Sequence, residues 1–254
     1  MSAIFAALKR FTTVSANETP TAPLSRCNVD APGLVWRSTG LAGVYATLRW
    51  DGSSIDTIAL VGTNLRAGDL VRIRIGSSQA AVDGDSAALD ITRTAWSGVA
   101  PVAGALSVFL VDGSFTGPFV RIDISSPGNP AGFVEVGRIV LSQRVTCDGV
   151  GLGADQTVED GSVVEDGPGY TTVDYQRVRS GWKVTVDRIS EADYYGKWWP
   201  MLMTVGKSSG FLFIPDTDPA YLQNQAVFGR MTSSAKGNAK SSDFYIVDMS
   251  ILSV

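Results

Sequence analysis

The residues in this chain that could do chemistry are carboxylates. Close pairs occur at Asp83/Asp85, Glu159/Asp160, Glu165/Asp166 and Asp216/Asp218. Two facing acids are what glycoside hydrolysis requires, one to give a proton and one to act as base or nucleophile. All four pairs sit among Gly, Pro or Ser, where acids are favoured because their oxygens cap and hydrate turns, so turn capping is the expectation. Asp83-Gly-Asp85 invites a Ca²⁺ reading, but the further oxygen ligands a cation needs are not identifiable. The absence of histidine removes His-based triads, and the two cysteines, Cys27 and Cys147, form no Cys-x-x-Cys pair for zinc. No Gly-x-Ser-x-Gly elbow is present. Gly149-Val-Gly-Leu-Gly153 is not followed by Gly-Lys-Ser/Thr and reads as a loop. The sequence therefore predicts no catalytic residue, no metal ligand and no cofactor, hence a protein that is not an enzyme.

The elements that would position any site are strands. The 254 residues are 44% hydrophobic and 18% charged, enough for an ordinary core. The 27 glycines and 11 prolines are scattered among Val, Ile, Thr and aromatics, which favours many short strands over long helices. Residues 1–144 carry 12 Lys/Arg against 11 Asp/Glu, and residues 145–254 carry 9 against 14. Neither half has the positive excess that phosphate neutralisation needs, so no nucleic-acid partner is expected. No segment approaches the apolar length of a membrane span. In Met1-Ser-Ala-Ile-Phe-Ala-Ala-Leu-Lys-Arg10 the charges follow the apolar stretch, unlike a signal sequence. Ile4, Phe5 and Leu8 fall at one-face helical spacing, giving a short amphipathic helix or an extended arm over residues 1–30.

Strand candidates follow at 45–50, 57–62, 70–76, 105–111, 119–124 and 133–142, spaced as in a sandwich. The alternation in Ile55-Asp-Thr-Ile-Ala-Leu-Val-Gly-Thr-Asn-Leu65 suits a half-buried strand, with Val71-Arg-Ile-Arg74 as its successor. Trp36, Trp50 and Trp96 near strand ends read as packing rather than sugar platforms. This pattern, together with Phe119-Val-Arg-Ile-Asp-Ile-Ser125 and Gly132-Phe-Val-Glu-Val-Gly-Arg-Ile-Val-Leu141, resembles the galactose-binding-like (discoidin-like) jelly rolls embedded in tail proteins of tailed bacteriophages. The resemblance implies a jelly roll over residues 31–145. Cys27 and Cys147 bracket it, either as a disulfide or as two thiols in a reducing cytoplasm.

Composition then shifts over 146–170, where Val158-Glu-Asp-Gly161 recurs as Val164-Glu-Asp-Gly167. This is an acidic Gly-rich loop for a basic partner or a cation, or a β-hairpin arm with solvated carboxylates, and the missing alternate oxygen ligands favour the hairpin or arm. Residues 171–254 form a smaller β-rich module: strands at 173–178, 181–189, 211–214, 226–230 and 243–252, a polar loop at 232–242, and one helix near 190–205. Ser190-Glu-Ala-Asp193 supplies its N-cap with acids in the first turn, Pro200 threatens a break or kink, and Gly206 ends it. Tyr194, Tyr195, Trp198 and Trp199 on this helix are too many aromatics for one helix to leave in water, so they are the candidates for core or subunit interface. Gly210-Phe-Leu-Phe-Ile-Pro-Asp216 and Val227-Phe-Gly-Arg-Met231 look like endings of phage baseplate and tail-tip proteins, a tail-tube or distal-tail-like module.

The resemblance implies a structural subunit of a tail tip or baseplate, made and assembled in the host cytoplasm and carried in the virion. Its partners would be other tail proteins and copies of itself in a ring. The alternative is a carbohydrate-binding module that recognises host surface glycans.

Overall fold

A computed structural model describes residues 2–31, 33–102, 104–147, 154–239 and 243–254. The glycine cluster 149–153 and the end of the polar loop, 240–242, lie outside the described residues. The strands in chain order are β1 (Ala3–Ala7), β2 (Thr12–Ala16), β3 (Trp36–Arg37), β4 (Val44–Arg49), β5 (Ile55–Thr63), β6 (Leu70–Gly76), β7 (Leu89–Thr94), β8 (Ala105–Phe115), β9 (Phe119–Ser125) and β10 (Glu135–Val136). They continue with β11 (Arg138–Ser142), β12 (Val145–Cys147), β13 (Asp155–Glu159), β14 (Val163–Gly167), β15 (Tyr170–Asp174), β16 (Arg179–Ser190), β17 (Phe211–Ile214), β18 (Val227–Met231), β19 (Lys236–Ala239) and β20 (Phe244–Ser253). The protein is mainly β, as its composition predicts.

Two sheets make the sandwich of the first half. A five-stranded sheet, β2-β4-β9-β6-β7, faces a three-stranded sheet, β11-β5-β8, and every pairing is antiparallel. Alternate residues of facing strands meet between them: Val71, Ile73 and Ile75 of β6, and Val120, Ile122 and Ile124 of β9, against Ile58 and Leu60 of β5 and Ile139 and Leu141 of β11. Trp36 and Trp50 are buried in this layer, and the indole N–H groups of Trp36, Trp50 and Trp96 donate to the carbonyls of Asn17, Ser53 and Leu65. A buried indole needs such a partner; Trp96 is partly buried and packs against the same core.

The second half is an eight-stranded sheet whose main path runs β12-β1-β17-β18-β20-β16-β13, with β19 added on β20. The first strand of the chain lies inside this sheet, with Phe5 opposite Phe213 on one side and Val145 on the other. The helical reading of residues 4–8 is thereby corrected. Ala3 and Phe5 point to one face of the sheet, Ile4 and Ala6 to the other, and all four are buried. A strand covered on both faces shows an unbroken apolar run, which periodicity alone does not distinguish from a helix. The sandwich is thus entered and left between two neighbouring strands of the other sheet, β1 and β12.

That arrangement stacks the molecule in layers. The outer face of the three-stranded sheet, with Ala59, Leu106 and Val140, packs on Ile4, Ala6, Leu212, Ile214 and Phe228 of the eight-stranded sheet. Strand β5 is therefore buried on both sides rather than half-buried, feeding Ile58 and Leu60 one way and Ala59 and Val61 the other. Each fully buried Ile, Leu or Phe in the shared layer contributes about 1.5–3 kcal/mol, so the two sheets are held by apolar burial rather than a linker. The far face of the large sheet carries the helix over residues 191–205. Cys27 and Cys147 are not joined by a disulfide. The Cys27 thiol is buried, donates to the Val136 carbonyl, and is pushed up to about 12 by desolvation.

Two smaller expectations change. Residues 175–178 are not strand, and part of the polar loop, 236–239, is strand β19 paired to β20.

Candidate functional site

The helix over residues 191–205 is fixed at both ends by local chemistry. The Ser190 hydroxyl accepts from the Asp193 N–H, and Gly206, at φ +50°, closes the other end. Between them the first turn, Glu191–Asp193, is α-helical, Tyr194–Trp198 is a π-turn, and Trp199–Val205 is α-helical again. Pro200 lacks the N–H that would bond four residues back, and its ring crowds that carbonyl. The wider turn immediately before it, in which the Trp199 N–H reaches the Tyr194 carbonyl, takes up the misfit without breaking the helix.

Because of this spacing the four aromatic candidates divide. Tyr194 and Trp198 point inward with Met201 and Val205, and are 4% and 2% exposed. Trp198 meets the Phe5 ring edge-on at 4.9 Å. Tyr194 stacks on Tyr245 at 4.1 Å, and a Cβ at Gly237 would lie 2.1 Å from the Tyr194 oxygen, so only glycine lets β19 approach. Tyr194 and Trp198 are core residues, and an intersubunit role for them is corrected. Tyr195 and Trp199 point outward, 54% and 47% exposed.

One turn beyond Trp199 lies Met203, 67% exposed, so the outward apolar stripe is Tyr195, Trp199 and Met203 at four-residue intervals. Phe244, also exposed, begins the strand that pairs with Ser190 at the helix start. The Tyr195 and Tyr245 hydroxyls are 3.0 Å apart, and this hydrogen bond pushes the Tyr245 phenol up to about 12, so it is neutral at physiological pH. Lys197 pairs with Asp193 at 2.7 Å. The stripe is thus a neutral aromatic surface on a helix anchored by its other side. Met203 was missed in the sequence because a lone Met carries no signal until the helix face is known.

The carboxylate pairs do not converge. Asp83 pairs with Arg121 at 2.7 Å, while Asp85 is exposed. Glu165 and Asp166 are neighbours on one strand and point to opposite faces. Asp160 accepts from the Ser162 N–H, Asp216 from the Asp218 N–H and Asp218 from the Ala220 N–H, the turn-capping arrangement. Among the described residues no group of three or more metal-ligating side chains comes together, and no helix is long and apolar enough to cross a membrane.

Two other features are placed by the fold. A groove of about 530 Å³ runs between the sandwich and the large sheet. At its side Asp30 bridges Arg138, at 3.1 Å, and the Gly210 N–H, while its backbone carbonyl accepts from Arg230. Burial pulls the Arg138 guanidinium down, with Asp30 opposing. These charges are spent on joining the two sheets. At the rim of the sandwich the Arg37 guanidinium lies 4.2 Å from the centre of the Phe133 ring and is paired to Glu135.

No protein-family model matches the chain, and no curated protein matches it. Solved structures do. One is reduced XRCC1 bound to the DNA pol beta catalytic domain, at 15% identity over 54% of this chain and 98% of that one, TM-score 0.43. Two are from Clostridium perfringens: CpGH89CBM32-6, at 14% identity over 53% and 93%, TM-score 0.38, and CBM32-1 from a family 31 glycoside hydrolase, at 9% over 54% and 96%, TM-score 0.37. The likeness is of architecture and extends to neither ligand nor partner.

Proposed function

We propose that the protein is a non-enzymatic structural subunit that works by being built into an assembly. The observation that carries this reading is the outward stripe Tyr195, Trp199 and Met203, three exposed apolar side chains at four-residue intervals on one helix face. Exposed aromatics of this kind mark interaction sites, because their burial supplies most of the energy of an interface. The acid pairs do not converge, which supports the non-catalytic part. Sedimentation of the full chain tests it: the wild type should self-associate or bind a partner, and Trp199→Asp should abolish this without unfolding the protein. A monomer at every concentration that also binds no co-assembled component refutes it.

The specific setting we propose is a tail tip or baseplate of a tailed phage, in the virion, with neighbouring tail proteins and further copies of the chain as partners. Its support is the residue pattern of the stretches 55–74 and 119–141. Mass spectrometry of purified particles should find the chain there in stoichiometric amount.

A second reading, recognition of surface glycans by the sandwich, is favoured by one observation. Arg37, Phe133 and Glu135 put a cation, an aromatic ring and a carboxylate together at the sandwich rim, the combination that offers a sugar a stacking surface and hydrogen bonds. Calorimetry against a glycan panel tests it, with binding expected to vanish in Arg37→Ala.

A further inference from the structure

Strands β14 and β15 pair only with each other among the described residues. Val163 lies opposite Asp174 and Gly167 opposite Tyr170, and the turn is Pro168-Gly169 with Gly169 at φ +86°. The Tyr170 ring lies over Gly167, where a Cβ would come within 2.3 Å of it. This ribbon is continuous with β13 and β16 of the large sheet through the bends at 160–162 and 175–178, so it is an arm extending from that sheet. Val158, Val163, Val164, Tyr170, Tyr175 and Val178 along it are between 52% and 82% exposed. A two-stranded ribbon with both edges open is marginal in water by itself. Such an arm requires a surface to lie on.

Charge says which. Residues 155–178 hold six carboxylates against Arg177 alone, net −5, while the whole chain is at −4, so everything outside the arm is net +1. None of the six is in an ion pair among the described residues. An acidic, apolar arm and a body of opposite sign on one chain are complementary between copies. The body carries an outward aromatic surface in the helix stripe, with Lys207 exposed just past the helix and Lys197 exposed but paired to Asp193.

Resting on the assembly reading above, we propose that the arm over residues 155–178 of one copy docks head to tail on the Tyr195/Trp199/Met203 face of a second copy. The contact joins two different surfaces, so it propagates from copy to copy and closes into a ring or extends as a filament. Val163 and Tyr170 supply the apolar contact from one face of the ribbon. Glu165 and Asp174, on the same face of the ribbon, meet Lys207, which makes the association weaken as salt is raised.

Two single-surface variants of the full chain test this by sedimentation velocity: an arm variant, Val163→Asp with Tyr170→Ser, and a helix-face variant, Trp199→Asp, with Met203→Asp as its alternate should Trp199→Asp not fold. Each alters exposed side chains, and each should melt close to the wild type. Alone, each should be monomeric, with self-association weakened at least about tenfold. Mixed, the two retain one intact arm and one intact helix face, so they should form a one-to-one dimer and nothing larger. If the arm variant assembles as the wild type does while the helix variant does not, the arm is not the partner, and the assembly reading survives. The proposal is also overturned if both variants are monomeric and the mixture stays monomeric. A wild type that is monomeric and binds no co-assembled component removes the assembly reading itself.

Discussion

Neighbouring tryptophans on one helix should respond in opposite ways to the same truncation. Trp198 is 2% exposed and sits between the helix and the large sheet, its indole edge-on to Phe5, which in turn lies 4.8 Å from Phe213. Trp198→Ala removes the indole from a layer closed by β1 and β17, strands buried on both faces and unable to collapse into the space. The transfer and cavity terms together come to about 3–5 kcal/mol. For a chain of this size that corresponds to a fall in Tm of roughly 6–20 °C. Trp199 is 47% exposed, and Trp199→Ala should stay within about 1 kcal/mol of the wild type while weakening self-association. Differential scanning calorimetry and sedimentation on both variants give the two readouts. Equal losses of Tm in the two variants, or a Trp198→Ala protein as stable as the wild type, would refute the inward and outward assignment of the helix.

Further perturbations probe the layers. Ala6→Asp puts a carboxylate into the shared apolar layer at a position with no exposure; it should cost more than about 4 kcal/mol and abolish a single cooperative calorimetric transition, whereas survival of the sandwich transition unchanged would show that the sheets are energetically independent. The Asp69 side chain is buried; burial alone would raise its pKa, but hydrogen bonds from Arg66 and Ser126 outweigh that and hold it below the usual carboxylate range. Asp69→Asn should therefore cost about 2–4 kcal/mol at neutral pH. Because the folded-state pKa is the lowered one, this stabilisation is present above the unfolded value near 4 and lost as pH falls through the folded value, so denaturation curves of wild type and variant should converge in acid. Gly98 stands at φ +87°, and a Cβ there would lie 2.1 Å from the Pro219 carbonyl; Gly98→Ala should lower Tm by several degrees, and a neutral result would contradict the hydrogen-bonded contact between Val99 and Ala220.

Much of the fold was written in local pattern. The strands at 57–62, 70–76, 105–111, 119–124 and 211–214 announce themselves by alternation or by a short apolar run, and the helix over 191–205 by Ser190 at its start and Gly206 past its end. Those signals are local because caps, turns and strand faces depend on residues within a few positions of one another. What the sequence could not decide is which face each residue presents and to what. Ala3–Ala7 reads equally as a short helix because both faces of the strand are buried, and its partners, Phe211–Ile214 and Val145–Cys147, lie far along the chain. Tyr194, Tyr195, Trp198 and Trp199 are alike as residue types; only the π-turn before Pro200 and the place of Phe5 beneath the helix send two of them into the core and leave two outside. The acidic repeat shows the same division: its composition foretold a hairpin with solvated carboxylates, but only the tertiary structure fixed its root, by pairing β13 with β16, and left β14 and β15 paired only with each other among the described residues.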